Sequence, residues 1–76
     1  MSRIDQILEE ARVRVDYLFR TRFEGGDIVR VTFKEAGISE LPEEQRAAVA
    51  RELTNCLCYE GLSVTCNLQD GQFVFS

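Results

Sequence analysis

Histidine and tryptophan are absent from this 76-residue chain, and proline and methionine each occur once. Without histidine, the chain lacks the commonest general base and the usual partner of a serine or cysteine nucleophile. Pairs of carboxylates could act as acid and base, but they need a cleft that desolvates them, which a domain of this size rarely has. The five glycines form no G-x-G-x-x-G loop that would cradle a phosphate. We therefore expect no catalytic residue and no cofactor.

Long apolar runs are also absent, because none exceeds four residues, as at 47–50 and 56–59. A membrane-spanning helix needs about 20 such residues. The charged, amphipathic start MSRIDQILEE has no continuous apolar segment of the kind found in a signal peptide. We expect no membrane partner and a cytoplasmic location, in which thiols stay reduced.

The net charge of −4 is spread unevenly, at +1 over residues 1–23 and −5 over residues 24–76. An acidic surface repels phosphate, so direct nucleic-acid binding is not expected. All but one of the nine cations are arginine, which is enriched at protein–protein contacts. The content of 45% hydrophobic and 29% charged residues indicates a single globular domain over residues 1–76.

The first predicted helix begins at a Ser2 cap, ends near Thr21 and is broken by Gly25-Gly26. Seven apolar residues recur at helical spacing and form a core stripe: Ile4, Ile7, Leu8, Ala11, Val15, Leu18 and Phe19. Residues 28–33 alternate as a strand that points Val29, Val31 and Phe33 to one side. Residues 34–41 are expected to link this strand to a second helix.

The second predicted helix begins at Pro42, reaches about Tyr59 and ends before Gly61. Its core stripe comprises Val49, Ala50, Leu53, Cys56 and Leu57. The C-terminal segment then alternates as a hairpin, and Asp70-Gly71 predicts a two-residue type I′ turn. That turn pairs Leu68 with Phe73 and Cys66 with Phe75. The pattern predicts an α+β fold, a two-layer α-β-α-β-β domain with two helices on one face of a three-stranded sheet. A parallel first and second strand would be joined by a right-handed crossover.

The three cysteines, Cys56, Cys58 and Cys66, are too few for a structural zinc site in a chain without histidine. On a helix, Cys58 would lie about 200° around from Cys56, so both sulfurs could not reach one ion. We expect Cys56 and Cys66 to be buried thiols, although a disulfide between them is geometrically conceivable. Cys58 is expected to be exposed beside Tyr59, and no metal site is expected.

Two surfaces are candidates for contact with a partner. On the first helix, Val13 and Tyr17 lie opposite the core stripe and are bordered by Arg14 and Arg20, a composition typical of interfaces. Scattered exposed apolar residues are also common on surfaces, and a second subunit could cover this face. The predicted partner-binding residues are Val13, Arg14, Tyr17, Arg20, Cys58 and Tyr59.

The second candidate surface is the sheet face away from the helices, together with an open sheet edge that could accept a strand. This face is predicted to carry Ile28, Arg30, Thr32, Ser63, Thr65, Asn67 and Val74. It has no aromatic residue on which bases could stack, so readout of single-stranded nucleic acid is not expected. The simplest interpretation is that this face is the solvent-exposed side of a two-layer fold.

The leading functional hypothesis is a non-catalytic protein–protein interaction module, a small cytoplasmic regulator or inhibitor of a larger protein. Chains of this size include phage-encoded inhibitors of host machinery such as anti-CRISPR proteins. One alternative is a homodimeric structural or accessory protein. Another is an acidic mimic of nucleic acid that blocks a basic groove, and a redox or metal sensor built on the cysteines is the last.

Overall fold

The computed structural model describes residues 3–25 and 28–76. The predicted Ser2 cap and the Gly26 half of the predicted helix break lie outside these residues. The elements in chain order are α1 (Arg3–Arg22), β1 (Val29–Thr32), α2 (Phe33–Ala36), α3 (Glu43–Cys56), β2 (Val64–Asn67) and β3 (Gln72–Phe75). The predicted α+β class is confirmed.

The three strands form one sheet in the order β1-β3-β2, and both neighbours of β3 pair with it antiparallel. β1 and β2 therefore run in the same direction with β3 between them, and α2 and α3 lie in the connection that joins them. Side chains that point to the helix side of β1 and β3 are buried, whereas Arg30, Thr32 and Thr65 on the other side are exposed. The helices thus cover one face of the sheet, as predicted.

The core lies between the helices and this face. The predicted stripe of α1 is the correct one, because Ala11, Val15 and Phe19 are buried and its remaining members pack partly buried against them. From the sheet, Phe73 and Phe75 are fully buried. Aromatic rings of this size supply much of the apolar area that a small domain can bury.

One short helix, α2, was not predicted from the sequence. Thr32 ends β1 and caps α2, because its hydroxyl accepts from the backbone N–H of Glu35 while the Glu35 carboxylate accepts from the N–H of Thr32. This capping box satisfies two N–H groups at the helix start. Gly37 ends the helix with a φ of 82°, a conformation that glycine adopts without steric cost. The T-x-x-E spacing of Thr32 and Glu35 is typical of a capping box, so this helix start could have been predicted from the sequence.

The second long helix, α3, ends at Cys56, three residues before the predicted end at Tyr59. Leu57 adopts an extended conformation, with a φ of −83° and a ψ of 114°. Gly61, with a φ of 77°, lies in the tight turn bridged by Tyr59 and Leu62 and not at the helix end. The predicted helix end is therefore wrong.

The prediction that Cys56 belongs to the core is also wrong, because Cys56 is exposed. The chain leaves the helix at this point. Leu57 is therefore buried, and Tyr59 packs against the core in place of Cys56. Cys66 is half-buried against the core, on the side that was predicted. All three cysteines are free thiols.

The C-terminal hairpin forms, but its predicted register is wrong. Cys66 pairs with Phe73 instead of Phe75, and a four-residue loop, 68–71, replaces the two-residue turn. A type I′ turn needs positive φ at both central residues, and here Gly71 has it while Asp70 does not. The register moves by two residues, so every side chain keeps its predicted face. Leu68, which was predicted to pair in the strand, lies in the loop and is 41% exposed.

Candidate functional site

The outward face of α1 carries two large exposed apolar side chains. Val13 is 55% exposed and Tyr17 is 65% exposed, and they lie one helical turn apart. Both project away from the buried stripe because their helical angles place them opposite to it. We call this pair the α1 ridge.

The two arginines predicted to border the α1 ridge point to different neighbours. The Arg14 guanidinium lies against the backbone of Gly37, since its Nη1 is 2.6 Å from where a Cβ of that residue would stand. Arg20 instead donates from Nε to Asp16 Oδ2 at 2.9 Å. The ridge therefore has one cation on its α2 side and an ion pair on its other side.

A polar cleft of about 180 Å³ opens beside that ion pair, between α1 and residues 56–59. Three of the predicted partner-binding residues, Arg20, Cys58 and Tyr59, meet in it. The complete lining is Arg12, Asp16, Arg20, Cys56, Leu57, Cys58 and Tyr59. We call this depression the thiol cleft, because two exposed cysteines, Cys56 and Cys58, are among its lining residues.

Tyr59 was predicted as a surface residue, but it is half-buried and structural. Its ring lies 4.3 Å from the Phe19 ring and 5.9 Å from the Phe75 ring, measured between centroids. Its hydroxyl donates a hydrogen bond to Asp16. Burial, and then this hydrogen bond, raise the pKa of Tyr59 well above its ordinary value. The helical projection failed here because the residue lies beyond the end of the helix.

Asp16 connects the two walls of the thiol cleft. It accepts from the Tyr59 hydroxyl on one side and from Arg20 on the other. These two hydrogen bonds, with that from Tyr59 the stronger, lower the pKa of Asp16 against the opposing effect of its partial burial. Sequence reasoning missed Asp16 and Arg12, although their spacing from Arg20 places all three on one helical stripe.

The outer edge of β1 is closed by side chains. Backbone groups of Arg30 and Thr32 point away from β3: the Arg30 carbonyl accepts from Arg22 Nη1 at 3.0 Å, and the Thr32 N–H donates to Glu35 at 3.0 Å. Arg22 and Glu35 also form a two-pronged ion pair with each other. Natural proteins use such charged groups to block the edges of sheets.

The outer edge of β2 has no such closure. Ser63 and Ser76 exchange two backbone hydrogen bonds. Because hydrogen-bonded and non-hydrogen-bonded pairs alternate along two antiparallel strands, the N–H and C=O groups of Val64 and Cys66 point outward, away from β3. Among the described residues, these outward groups have no hydrogen-bond partner. Residues 61–69, which include the strand, carry no charged side chain. The open edge predicted from the sequence is therefore on β2.

Comparison with protein-family models, with curated proteins and with solved structures gives no significant match. Over residues 3–25 and 28–76, no helix has the length and apolarity to cross a membrane. Within the same ranges, no three or more His, Cys, Asp and Glu side chains are grouped so that they could hold a metal ion. The candidate sites that the described residues form are the α1 ridge, the thiol cleft and the β2 edge.

Proposed function

We propose that this chain is a non-catalytic protein–protein interaction module that binds a larger protein through the α1 ridge. The observation that carries the proposal is the exposure of Val13 and Tyr17 on the outward face of the longest helix. Tyrosine contributes a large contact area at a small cost in side-chain entropy, which is why it is enriched at the energetic centres of interfaces.

The charges around the α1 ridge suggest what kind of surface it would fit. Arg14 stands beside the ridge and takes part in none of the described ion pairs. A partner with an apolar pocket for Tyr17 and a carboxylate near Arg14 would complement both features. The charge pair between Arg14 and that carboxylate would lie at the rim of the interface, where it would affect the association rate more than the affinity.

The described carboxylates with shifted pKa values also favour a non-catalytic role. Glu9, Asp16 and Glu35 all have a lowered pKa, and each is hydrogen-bonded to an arginine. A general acid or base works best with a pKa near the operating pH, which for a carboxyl group requires a raised value. These ion pairs also interrupt the acidic surface, whereas a nucleic-acid mimic needs a continuous one.

A role as a cytoplasmic regulator or inhibitor is the finer form of this proposal. It follows from the small size of the chain, and a phage-encoded inhibitor of host machinery is one member of that class. Genes beside the coding sequence would identify the process, because a small regulator commonly acts on the product of a neighbouring gene.

The proposal is tested by affinity purification from cell extract with Val13→Asp and Tyr17→Ala variants. We expect each variant to lose the specific partner, with Tyr17→Ala weakening binding about tenfold or more. Ile28→Asp is the matched control, since Ile28 is 58% exposed but lies just before β1 and not on α1. Retention of the partner by both ridge variants, with the fold intact by circular dichroism, would refute the proposal.

Homodimerisation through β2 is the second candidate function, and the contrast between the two sheet edges favours it. An antiparallel β2–β2 pair would use the outward groups of Val64 and Cys66 and would bring no like charges together. Sedimentation velocity at micromolar concentration tests this candidate. Thr65→Lys should shift the dimer towards monomer, whereas Gln72→Lys on the central strand should not. A wild-type chain that is entirely monomeric excludes the dimer.

A further inference from the structure

The apolar side chains of β2 are covered less completely than those of β1. Val29 and Val31 of β1 are buried, whereas Val64 and Cys66 on the same side of β2 are only half-buried. The reason is the placement of the helices, because α1 and α2 both pack against β1 while β2 packs mainly against α3. An apolar strip therefore stays accessible along the β2 edge, beside the outward N–H and C=O groups of the same two residues.

The sequence of β2 and its flanks is complementary to itself. Residues 62–68, LSVTCNL, alternate between apolar and polar side chains and carry no charge. If two copies pair antiparallel through their outward backbone groups, each apolar side chain of one copy lies beside an apolar side chain of the other. The polar side chains likewise meet polar ones on the opposite face. A second copy of this chain thus fits the β2 edge without bringing like charges together.

The outward backbone groups select one register for such a pair. When Val64 lies opposite Cys66 of a second copy, two hydrogen-bonded pairs form, and each exchanges two N–H···O bonds. The next register in either direction would bring in Leu62 or Leu68. The Leu62 N–H already donates to the Tyr59 carbonyl at 3.2 Å, and Leu68 lies beyond the end of β2. The register that pairs Val64 with Cys66 uses groups that have no partner among the described residues.

The contrast between the two sheet edges limits the assembly to two copies. Arg22 and Glu35 occupy the backbone groups on the outer edge of β1, so this edge accepts no further strand. A two-fold pair through β2 uses the open edge of both copies. Such an interface is closed and does not propagate into a filament.

We propose that two copies of this chain pair antiparallel through β2 about a two-fold axis at Thr65, which joins their sheets into one. This proposal rests on the second candidate function, homodimerisation, and adds the register and the residue at the axis. Thr65 lies opposite Thr65 of the second copy in a non-hydrogen-bonded pair, with the Cα atoms about 4.5 Å apart. Ser63 lies opposite Asn67 of the second copy.

The test is disulfide trapping of Thr65→Cys in a chain whose three native cysteines are replaced by serine. The expected Cα separation falls within the range of disulfides, about 4.4–6.8 Å. Diamide oxidises the two thiols to a disulfide and takes up both their protons and electrons. We expect a covalent dimer at micromolar concentration on non-reducing electrophoresis. Ser63→Cys alone should give none, because its two copies would lie more than about 13 Å apart.

A mixture of two single variants tests the register directly. Ser63→Cys and Asn67→Cys chains should form a disulfide with each other when mixed, although neither does so alone. Disulfides between residues 63 and 65, or between 65 and 67, would overturn the register. Gln69→Cys, in the exposed hairpin loop, is the control for random collision. Disulfide formation in that variant equal to that in Thr65→Cys would also overturn the proposal.

Amide hydrogen exchange tests the same pair in the unmodified chain. The N–H groups of Val64 and Cys66 should exchange more slowly as protein concentration rises, because each donates to the second copy. The Arg30 N–H on the outer edge of β1 should exchange at a constant rate. Concentration-independent exchange at Val64 and Cys66 would contradict the pairing.

Sedimentation velocity separates failure of the register from failure of homodimerisation. A wild-type dimer with disulfides at other positions overturns the Thr65 axis alone, whereas a wild-type monomer overturns both. Val13→Asp should form the Thr65→Cys disulfide normally, since Val13 lies on α1 and not on β2. Loss of the disulfide in that variant, with the fold intact, would place the α1 ridge in the dimer interface and overturn this one.

Discussion

The hydroxyl of Tyr59 donates a hydrogen bond to the carboxylate of Asp16, across 43 positions of sequence. This contact fastens the segment after α3 to the middle of α1 and forms one end of the thiol cleft. The Tyr59 ring stacks on Phe19 at the same place, so the hydrogen bond and the aromatic contact act together.

Removal of that hydroxyl should destabilise the fold. For Tyr59→Phe we expect the free energy of unfolding to fall by about 1–2 kcal/mol, because a hydrogen bond to a charged acceptor is lost. Urea denaturation measures this value, and a double-mutant cycle with Asp16→Asn isolates the pair. Tyr17→Phe is the control, since the Tyr17 side chain is 65% exposed. Equal losses in the two tyrosine variants would show that the contact with Asp16 contributes nothing.

Stability should depend on pH through Glu35. Hydrogen bonds from Arg22 and then from the Thr32 backbone lower the pKa of this carboxyl to about 2. Its pKa in the unfolded chain is about 4.3, so the stabilisation is present above that pH and is lost as pH falls towards 2. Because the Glu35 side chain is 34% exposed, solvent screens the ion pair and we expect a contribution of about 1 kcal/mol.

Urea unfolding at about pH 6 and about pH 3 measures this contribution, because the two values lie on either side of the unfolded pKa. Glu35→Gln should be less stable than the wild type at the higher pH and should approach it at the lower one. Glu60→Gln, an exposed carboxyl in the turn before β2, serves as the control. A constant difference between wild type and Glu35→Gln at both pH values would exclude this linkage.

Two leucines should respond differently to the same truncation. Leu53 is fully buried in α3, and Leu53→Ala should cost about 2–5 kcal/mol through lost contacts and the cavity left behind. Leu68 is 41% exposed in the hairpin loop, and Leu68→Ala should change stability by about 0.5 kcal/mol or less. Thermal or urea unfolding of both variants checks the comparison. A large loss in Leu68→Ala would instead support the two-residue turn predicted from the sequence.

The hairpin loop should depend on Asn67. Its side-chain oxygen accepts from the N–H groups of Gln69 and Asp70, each at 3.1 Å, and its backbone carbonyl accepts from Gly71 at 2.9 Å. Asn67→Ala should therefore lower the free energy of unfolding by about 1 kcal/mol. Thr65→Ala, on the same face of the same strand, should have a smaller effect. Equal effects would mean that the Asn67 side chain does not organise the loop.

The described part of the chain shows how far periodicity alone predicts a fold. The inward positions of α1 and β1, including Val15, Val29 and Val31, follow from spacings of 3.6 and 2 residues. These spacings depend only on local backbone geometry, so a helix or strand can be oriented before its neighbours are known. The α1 ridge was found in the same way, as the positions opposite the core stripe.

The ends of the helices and strands did not follow from periodicity. Asp70-Gly71 matched a two-residue turn, but the Asn67 side chain satisfies the N–H groups of a longer loop. Cys56 and Leu57 continued the apolar pattern of α3, and nothing in their identities marks where the helix stops. A helix end is decided by competition between backbone hydrogen bonds and the tertiary packing of the next residues.

The sequence by itself determined the α+β class, the buried face of each long element and the exposure of Val13 and Tyr17, because these follow from periodic patterns. Only the tertiary structure decided that the chain leaves α3 at Cys56, where Tyr59 packs on Phe19 and bonds to Asp16. That change from helical to extended backbone buries Leu57 and leaves Cys56 exposed at the cleft beside Arg12 and Arg20. The physical reason is that the backbone angles of Leu57 decide which side chains of this segment face the core, and contacts between residues distant in sequence determine those angles.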